Sequence, residues 1–181
     1  MLIKTKQSLS LPYFQKGVGL VEVIVAMLLL SIGVLGFAAL QARALSASSE
    51  GIIRTQAMQI ARDLAERIRV NRGGYSQYVL SVAAPATGFD CVTSYCSATT
   101  LAKYDVQQVV ARANTIGATI GFPVCSGVRS STRCVYVAWG ATTPTDSTAA
   151  NGGADCTYNG NYNTYNQATN KPTTCVMVEA Y

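Results

Sequence analysis

Apolar residues fill positions 18–40 with a single charge among them, Glu22. A 23-residue run would cover about 35 Å as a helix at ~1.5 Å per residue, enough to cross the hydrocarbon core of a bilayer. It is apolar all round, as suits lipid or a bundle of like helices. Beyond it the pattern becomes one-sided: Ile53, Ala57, Ile60, Leu64 and Ile68 recur at spacings of four, three, four and four, the signature of an amphipathic helix. On the other faces Arg62–Glu66 and Asp63–Arg67 stand as i,i+4 pairs, each worth about 0.3–0.5 kcal/mol. Gly73-Gly74 closes the pattern, with Arg67, Arg69 and Arg72 near the negative end of the helix. One helix over 18–72 would be about 80 Å long. That is too long for one compact domain, so half of it must stand in a membrane or a filament.

After Gly74 the chain breaks into short pieces. Thr99 or Thr100 is placed to cap a helix through about Arg112 that buries Leu101, Val106, Val109 and Val110. Runs of β-branched residues with cysteine predict strands over 122–125, 134–139 and 175–178. In the middle run Val135, Val137 and Trp139 share one face, and Cys134, Tyr136 and Ala138 the other. Residues 140–174, rich in Thr, Asn, Gly and Tyr, predict a long loop tied down by a disulfide. The sum is an α+β chain, a long helix packed on a small antiparallel sheet. Gly33 and Gly36 interrupt the apolar run. They serve close helix packing or mark a point where the helix can stretch or melt.

Composition narrows the function. Charged residues make up only 13% of the 181 residues, low for a cytosolic domain. The net charge of +5 comes from Lys4, Lys6 and Lys16 before the apolar run and six arginines, Arg43 to Arg72, after it. Beyond Gly73 five positive charges meet five negative ones. A nucleic-acid footprint would place its basic residues on the folded domain, so nucleic-acid binding is not expected. All six cysteines (Cys91, Cys96, Cys125, Cys134, Cys156, Cys175) follow the apolar run. An even number in a neutral, Thr/Asn-rich domain points to disulfides in an oxidising compartment. Fifteen pairings are possible; the local set Cys91–Cys96, Cys125–Cys134 and Cys156–Cys175 is favoured because each encloses a turn-rich stretch. There is no histidine and no C-x-x-C pair, so neither metal nor cofactor is expected. No nucleophile motif or phosphate loop supports an enzyme.

Residues 1–17 are polar and basic, broken by Pro12, and read as a leader. The stretch Lys16-Gly17-Val18-Gly19-Leu20-Val21-Glu22-Val23, followed by the apolar run, resembles the processing signal of type IV pilins and pseudopilins. The resemblance implies a cut by prepilin peptidase between Gly17 and Val18, with Val18 as the N-methylated new terminus. Family members most often carry phenylalanine there. It also implies that Glu22 neutralises the α-amino group of a neighbouring subunit during assembly; the alternative is an acid resting in the headgroup zone. Asp63 to Arg72 with Gly73-Gly74-Tyr75, the stretch from Cys96 to Asp105, Val135 to Trp139 and the closing Cys175 to Glu179 are similar to the PilV type of minor pilin.

The resemblance implies a pilin-like fold with a leader (1–17), a membrane and filament-core half-helix (18–40), an amphipathic half-helix (41–72) and a globular domain in the periplasm and then outside the cell (73–181). It implies a minor pilin of a type IV pilus, anchored by one pass in the inner membrane and acting in the complex that initiates the pilus at its tip. Its partners would be other minor pilins, the major pilin, prepilin peptidase, the inner-membrane assembly platform and a tip adhesin. Tyr158, Tyr162 and Tyr165 with Asn159, Asn161, Asn163 and Asn166 form either an adaptable polar-aromatic binding surface that supports adhesion or a solvated loop. A minor pseudopilin of a type II secretion system, or a DNA-uptake pilus component, is the near alternative. The distant one is a secreted binding module whose ordinary signal peptide is cut after Gly36-Phe37-Ala38.

Overall fold

The computed structural model describes residues 17, 19–125, 132–147, 155–158, 161–162, 165–166 and 171–180. Residues 1–16 of the leader, Val18, Asn159 and Asn163 lie outside the described residues. Helix α1 runs unbroken over Leu20–Val70, close to the expected span. The chain divides into two compact units, one up to Ser46 and one from Ala47 onward. In the first, every described residue is exposed, and α1 is long and apolar enough there to cross a membrane.

In the second unit the stripe Ala57, Ile60, Ala61, Leu64, Ala65 and Ile68 of α1 is buried. It packs with α2 (Tyr75–Ala83) and α3 (Ala98–Thr115) onto one face of a three-stranded antiparallel sheet. The sheet order is β1 (Ala118–Gly121), β2 (Cys134–Trp139), β8 (Cys175–Glu179). Strand β2 is buried along its whole length, because its two faces meet two different cores. Val135, Val137 and Trp139 join the helices, while Tyr136 and Ala138 pack among Cys125, Cys134, Cys156 and Cys175. The alternation read from the sequence thus holds, with both faces covered.

Four local expectations change. Ser97, not Thr99 or Thr100, caps α3; its hydroxyl accepts from the Thr100 amide at 3.3 Å, and the two threonine hydroxyls gather around it at 2.9 and 3.0 Å. Val106 and Val109 are buried, but Leu101 and Val110 are only half-buried. The first strand lies four residues earlier than 122–125: Gly117, at φ 66°, turns the chain sharply out of α3 so that pairing begins at Ala118. Only the Val124–Arg133 bridge remains of the expected strand.

The expected loop 140–174 contains strands instead. β3 (Thr143–Ser147) runs parallel to β4 (Asp155–Tyr158), which pairs antiparallel with β5 (Asn161–Tyr162); β6 (Tyr165–Asn166) pairs with β7 (Lys171–Pro172). Side chains tie β3 and β4 together and to β2: the Thr157 hydroxyl donates to Asp146 at 2.7 Å and meets the Tyr136 hydroxyl at 2.9 Å, and Thr143 and Thr145 donate to Asp155.

Candidate functional site

The start of α1 is built by backbone alone. The Glu22 and Val23 amides donate to the Gly19 carbonyl at 2.9 and 3.4 Å, so the helix forms immediately after the expected cut. Glu22 stands exposed in the first turn, where the positive end of the helix dipole favours a carboxylate. With Val23, Ala26, Met27 and Leu30 it lines a shallow open groove of about 360 Å³. A side chain at Gly17, Gly33 or Gly36 would meet no atom within 4 Å, so packing within the chain demands glycine at none of them.

The other end of α1 carries a polar clamp that joins three helices. The Arg67 guanidinium donates to Asp63 at 2.9 Å and across to Asp105 of α3 at 2.7 Å. Asp105 is almost buried and also accepts the hydroxyl of the fully buried Tyr78 of α2. Asn71, just past the end of α1, donates to the Ala98 carbonyl at 2.8 Å and, more weakly, to Tyr78 Oη at 3.4 Å. Arg112 of α3 returns to Asp63 at 3.0 Å.

Desolvation pulls the Arg67 pKa down, but hydrogen bonds and charge attraction from Asp63 and Asp105 outweigh it, and the net direction is up. Burial, followed by the bond to Asp105, holds the Tyr78 phenol well above its usual value. The Asp63–Arg67 pair matches its sequence expectation. The Arg62–Glu66 pair does not form; Glu66 takes Arg69 at 2.7 Å. Arg69 also donates to the Ala180 and Glu179 carbonyls at 3.2 and 3.1 Å, fastening the end of β8 to the helix.

Gly74 completes the clamp for a reason other than helix termination. A single 3₁₀ turn, Arg72–Gly74, leads directly into α2. A Cβ at Gly74 would lie 2.5 Å from the Ala98 carbonyl oxygen and 3.0 Å from the Ala102 Cβ, so only glycine lets the turn seat on α3. Sequence reasoning missed α2, whose nine residues are too few to show a period. It also missed Asp105. An acid inside the apolar stripe Ala102, Val106, Val109 was the available signal, since a buried carboxylate needs a partner.

The six cysteines close three disulfides, Cys91–Cys96, Cys125–Cys134 and Cys156–Cys175, the local set favoured from the sequence. The last two sit in the second core beside Tyr136. The first closes an exposed loop rooted on Asp90, whose carboxylate accepts the Val92 amide at 2.8 Å and the Thr93 hydroxyl at 2.5 Å. Those bonds, the Thr93 hydroxyl first, hold the Asp90 pKa below the usual carboxylate value. At the mouth of the other face, the Trp139 indole donates to Glu50 of α1 at 3.0 Å.

Two family models meet end to end on this geometry. The prokaryotic N-terminal methylation motif matches residues 14–38, which hold Gly17, Glu22 and most of the apolar run. The family described as type IV pilin Tt1218 matches residues 39–107, which hold the rest of α1, α2 and the clamp as far as Asp105. Neither characterised proteins nor solved structures give a match. A methylation signal opening an apolar helix, continued by a type IV pilin match that runs through the clamp at the end of that helix, supports the type IV pilin superfamily, a family of structural subunits, for this chain.

Proposed function

We propose that the chain is a minor pilin of the PilV type, cut by prepilin peptidase between Gly17 and Val18, methylated on Val18, and assembled into the complex that initiates a type IV pilus at its tip. One observation carries the reading: Glu22 is the lone charge on an apolar helix surface and stands exposed within its first turn. A carboxylate held in a low-dielectric bundle is expensive alone and tolerable when paired. The α-amino group freed by the cut on a neighbouring subunit supplies the opposite charge. A wrong axial register leaves both charges unpaired, so the pair sets register more than it adds stability.

The open backbone at Gly17 agrees with a glycine kept for the peptidase rather than for packing. Before assembly, residues 18–40 anchor the chain in the inner membrane with the domain from residue 73 in the periplasm, where its disulfides form. Its partners are other minor pilins, the major pilin, the assembly platform and a tip adhesin, and the tyrosine- and asparagine-rich composition around Tyr158, Tyr162 and Tyr165 is the reason to assign adhesion to that segment.

Intact mass and N-terminal sequencing of the protein from piliated cells test the processing. The expected product starts at N-methylated Val18 and lacks six cysteine protons; a terminus at Ala39 would make the chain a secreted module. Glu22→Ala should leave that product unchanged and deplete the protein from sheared pili. Equal amounts of mutant and wild type in the sheared fraction would refute the role of Glu22.

A further inference from the structure

The Cys91–Cys96 disulfide differs in setting from the other two. Cys125, Cys134, Cys156 and Cys175 are 0–4% exposed and share the second core with Tyr136, so a reagent reaches them only when that core opens. Cys91 and Cys96 are half-buried at the base of a loop whose intervening residues are all exposed. Their five-residue separation is the shortest of the three, and a short loop removes the least entropy from the unfolded chain. The bond nearest to solvent is therefore the one that stability needs least.

Both ends of the loop are fastened to α3 by other means. The Phe89 amide donates to Gln107 Oε1 at 3.0 Å, and Gln107 Nε2 donates to the Phe89 carbonyl at 3.3 Å. The Phe89 ring lies 5.3 Å from Lys103 Nζ. On the far side Ser97 caps α3, and Asn71 holds the Ala98 carbonyl at 2.8 Å. Opening the disulfide thus leaves the loop tethered and the domain folded. The two sulfurs are also unlike. Cys96 immediately precedes the cap of an 18-residue helix, whose positive end favours a thiolate there. Cys91 follows the Asp90 carboxylate, which opposes one.

The structure assigns to Cys91–Cys96 a site of thiol–disulfide exchange with a protein dithiol, opened and closed on the folded domain. The attacking thiolate bonds to Cys91 Sγ, the S–S bond breaks, and Cys96 leaves as the thiolate, because the thiol of lower pKa is the better leaving group. The dithiol's second sulfur, deprotonated, then attacks its own partner sulfur in the mixed disulfide and releases Cys91. The chain gains two electrons and two protons, and the dithiol becomes a disulfide; the reverse reaction closes the loop. Exchange switches Val92 and Tyr95, at 80% and 98% exposure, between a fixed and a loose presentation. It rests on the loop alone and stands whether or not the chain joins a pilus.

The test uses the full chain in detergent with reduced thioredoxin as the dithiol, quenched with N-ethylmaleimide and read by peptide mapping. Cys91 and Cys96 should be labelled at least about tenfold faster than any core cysteine, with the emission of Trp139 unchanged. Thioredoxin lacking its resolving cysteine should be trapped on Cys91, with Cys96 carrying the maleimide. Core cysteines labelled at the same rate, all six labelled together as the Trp139 emission shifts, or no label on Cys91 and Cys96 would each overturn the exchange site. Trapping on Cys96 would overturn the direction of attack. The terminus and amount of the chain in sheared pili report separately on its role as a pilin.

Discussion

Asp105→Ala should be among the most damaging substitutions outside the apolar core. Asp105 is 6% exposed and its carboxylate serves two partners, Arg67 at 2.7 Å and the Tyr78 hydroxyl. Breaking a buried charge pair from one side costs about 3–5 kcal/mol. Here the Arg67 side chain keeps 29% exposure and a second carboxylate, Asp63, at 2.9 Å, which reduces its share to about 1–2 kcal/mol. Among the described residues the fully buried Tyr78 is left with the Arg67 carbonyl at 3.4 Å as its hydroxyl's acceptor, adding about 1–2 kcal/mol. The expected loss is about 3 kcal/mol, a large part of the stability of a domain this size.

Tyr78→Phe removes one hydrogen bond to a charged group and should cost about 1.5 kcal/mol. Because both changes break the same bond, the double variant should cost about 1 kcal/mol less than the sum. Urea unfolding of the full chain in detergent reads these losses through Trp139, the single tryptophan, buried and bonded to Glu50. A loss below about 0.5 kcal/mol for Asp105→Ala, or strict additivity with Tyr78→Phe, would refute the clamp.

The raised pKa of Tyr78 makes the folded state hold a proton that the unfolded chain releases near pH 10. Its contribution is therefore complete below about pH 10 and is lost as pH rises further; Tyr78→Phe should flatten that alkaline fall in a stability-versus-pH series. Gly74→Ala drives a Cβ to 2.5 Å from the Ala98 carbonyl and should cost about 2–3 kcal/mol in the same urea assay, whereas Gly33→Ala and Gly36→Ala, with nothing within 4 Å, should leave the unfolding midpoint unmoved. Replacing Cys156 and Cys175 by serine opens a 19-residue separation inside the second core and should cost about 3 kcal/mol or more, against about 2 kcal/mol for Cys91 with Cys96. Glu50→Ala should shift the Trp139 emission and cost about 1 kcal/mol; an unchanged spectrum would refute that bond.

The features with a period or a composition of their own were legible in the sequence. The apolar run, the four-three-four-four stripe and the alternation in 134–139 each state their environment, because a face that must be buried repeats with its element. What escaped was set by encounters between distant segments. Gly74 reads as a helix stop, yet its lack of a side chain serves Ala98, and nothing local distinguishes the two. Glu66 had two helical neighbours of opposite charge within reach, and Arg69 prevailed over Arg62 while also reaching the end of β8. Within 140–174, β3 and β4 are held by threonine–aspartate bonds and a disulfide rather than by an apolar pattern. The start of β1 was fixed by the turn at Gly117, not by the β-propensity of its own residues.

The two halves of α1 differ in what can satisfy them. The stripe from Ala57 to Ile68 is covered by the chain's own α2, α3 and sheet, so its burial is settled on folding. The half up to Leu40 is exposed on every face, and its apolar surface is satisfied equally by lipid or by like helices. Lipid tails are as apolar as leucine, so the hydrophobic effect scarcely distinguishes a membrane from a helix bundle. Movement between them must then be decided by terms that do differ, namely close packing and the pairing of charge. Over residues 18–40 the only side-chain charge available to decide it is Glu22. Under the proposed assembly role, one carboxylate therefore has leverage out of proportion to its size. Glu22→Gln, which keeps the shape and most of the hydrogen-bonding capacity but removes the charge, should be depleted from sheared pili nearly as strongly as Glu22→Ala. Normal incorporation of Glu22→Gln would show that hydrogen bonding, rather than charge, sets the register.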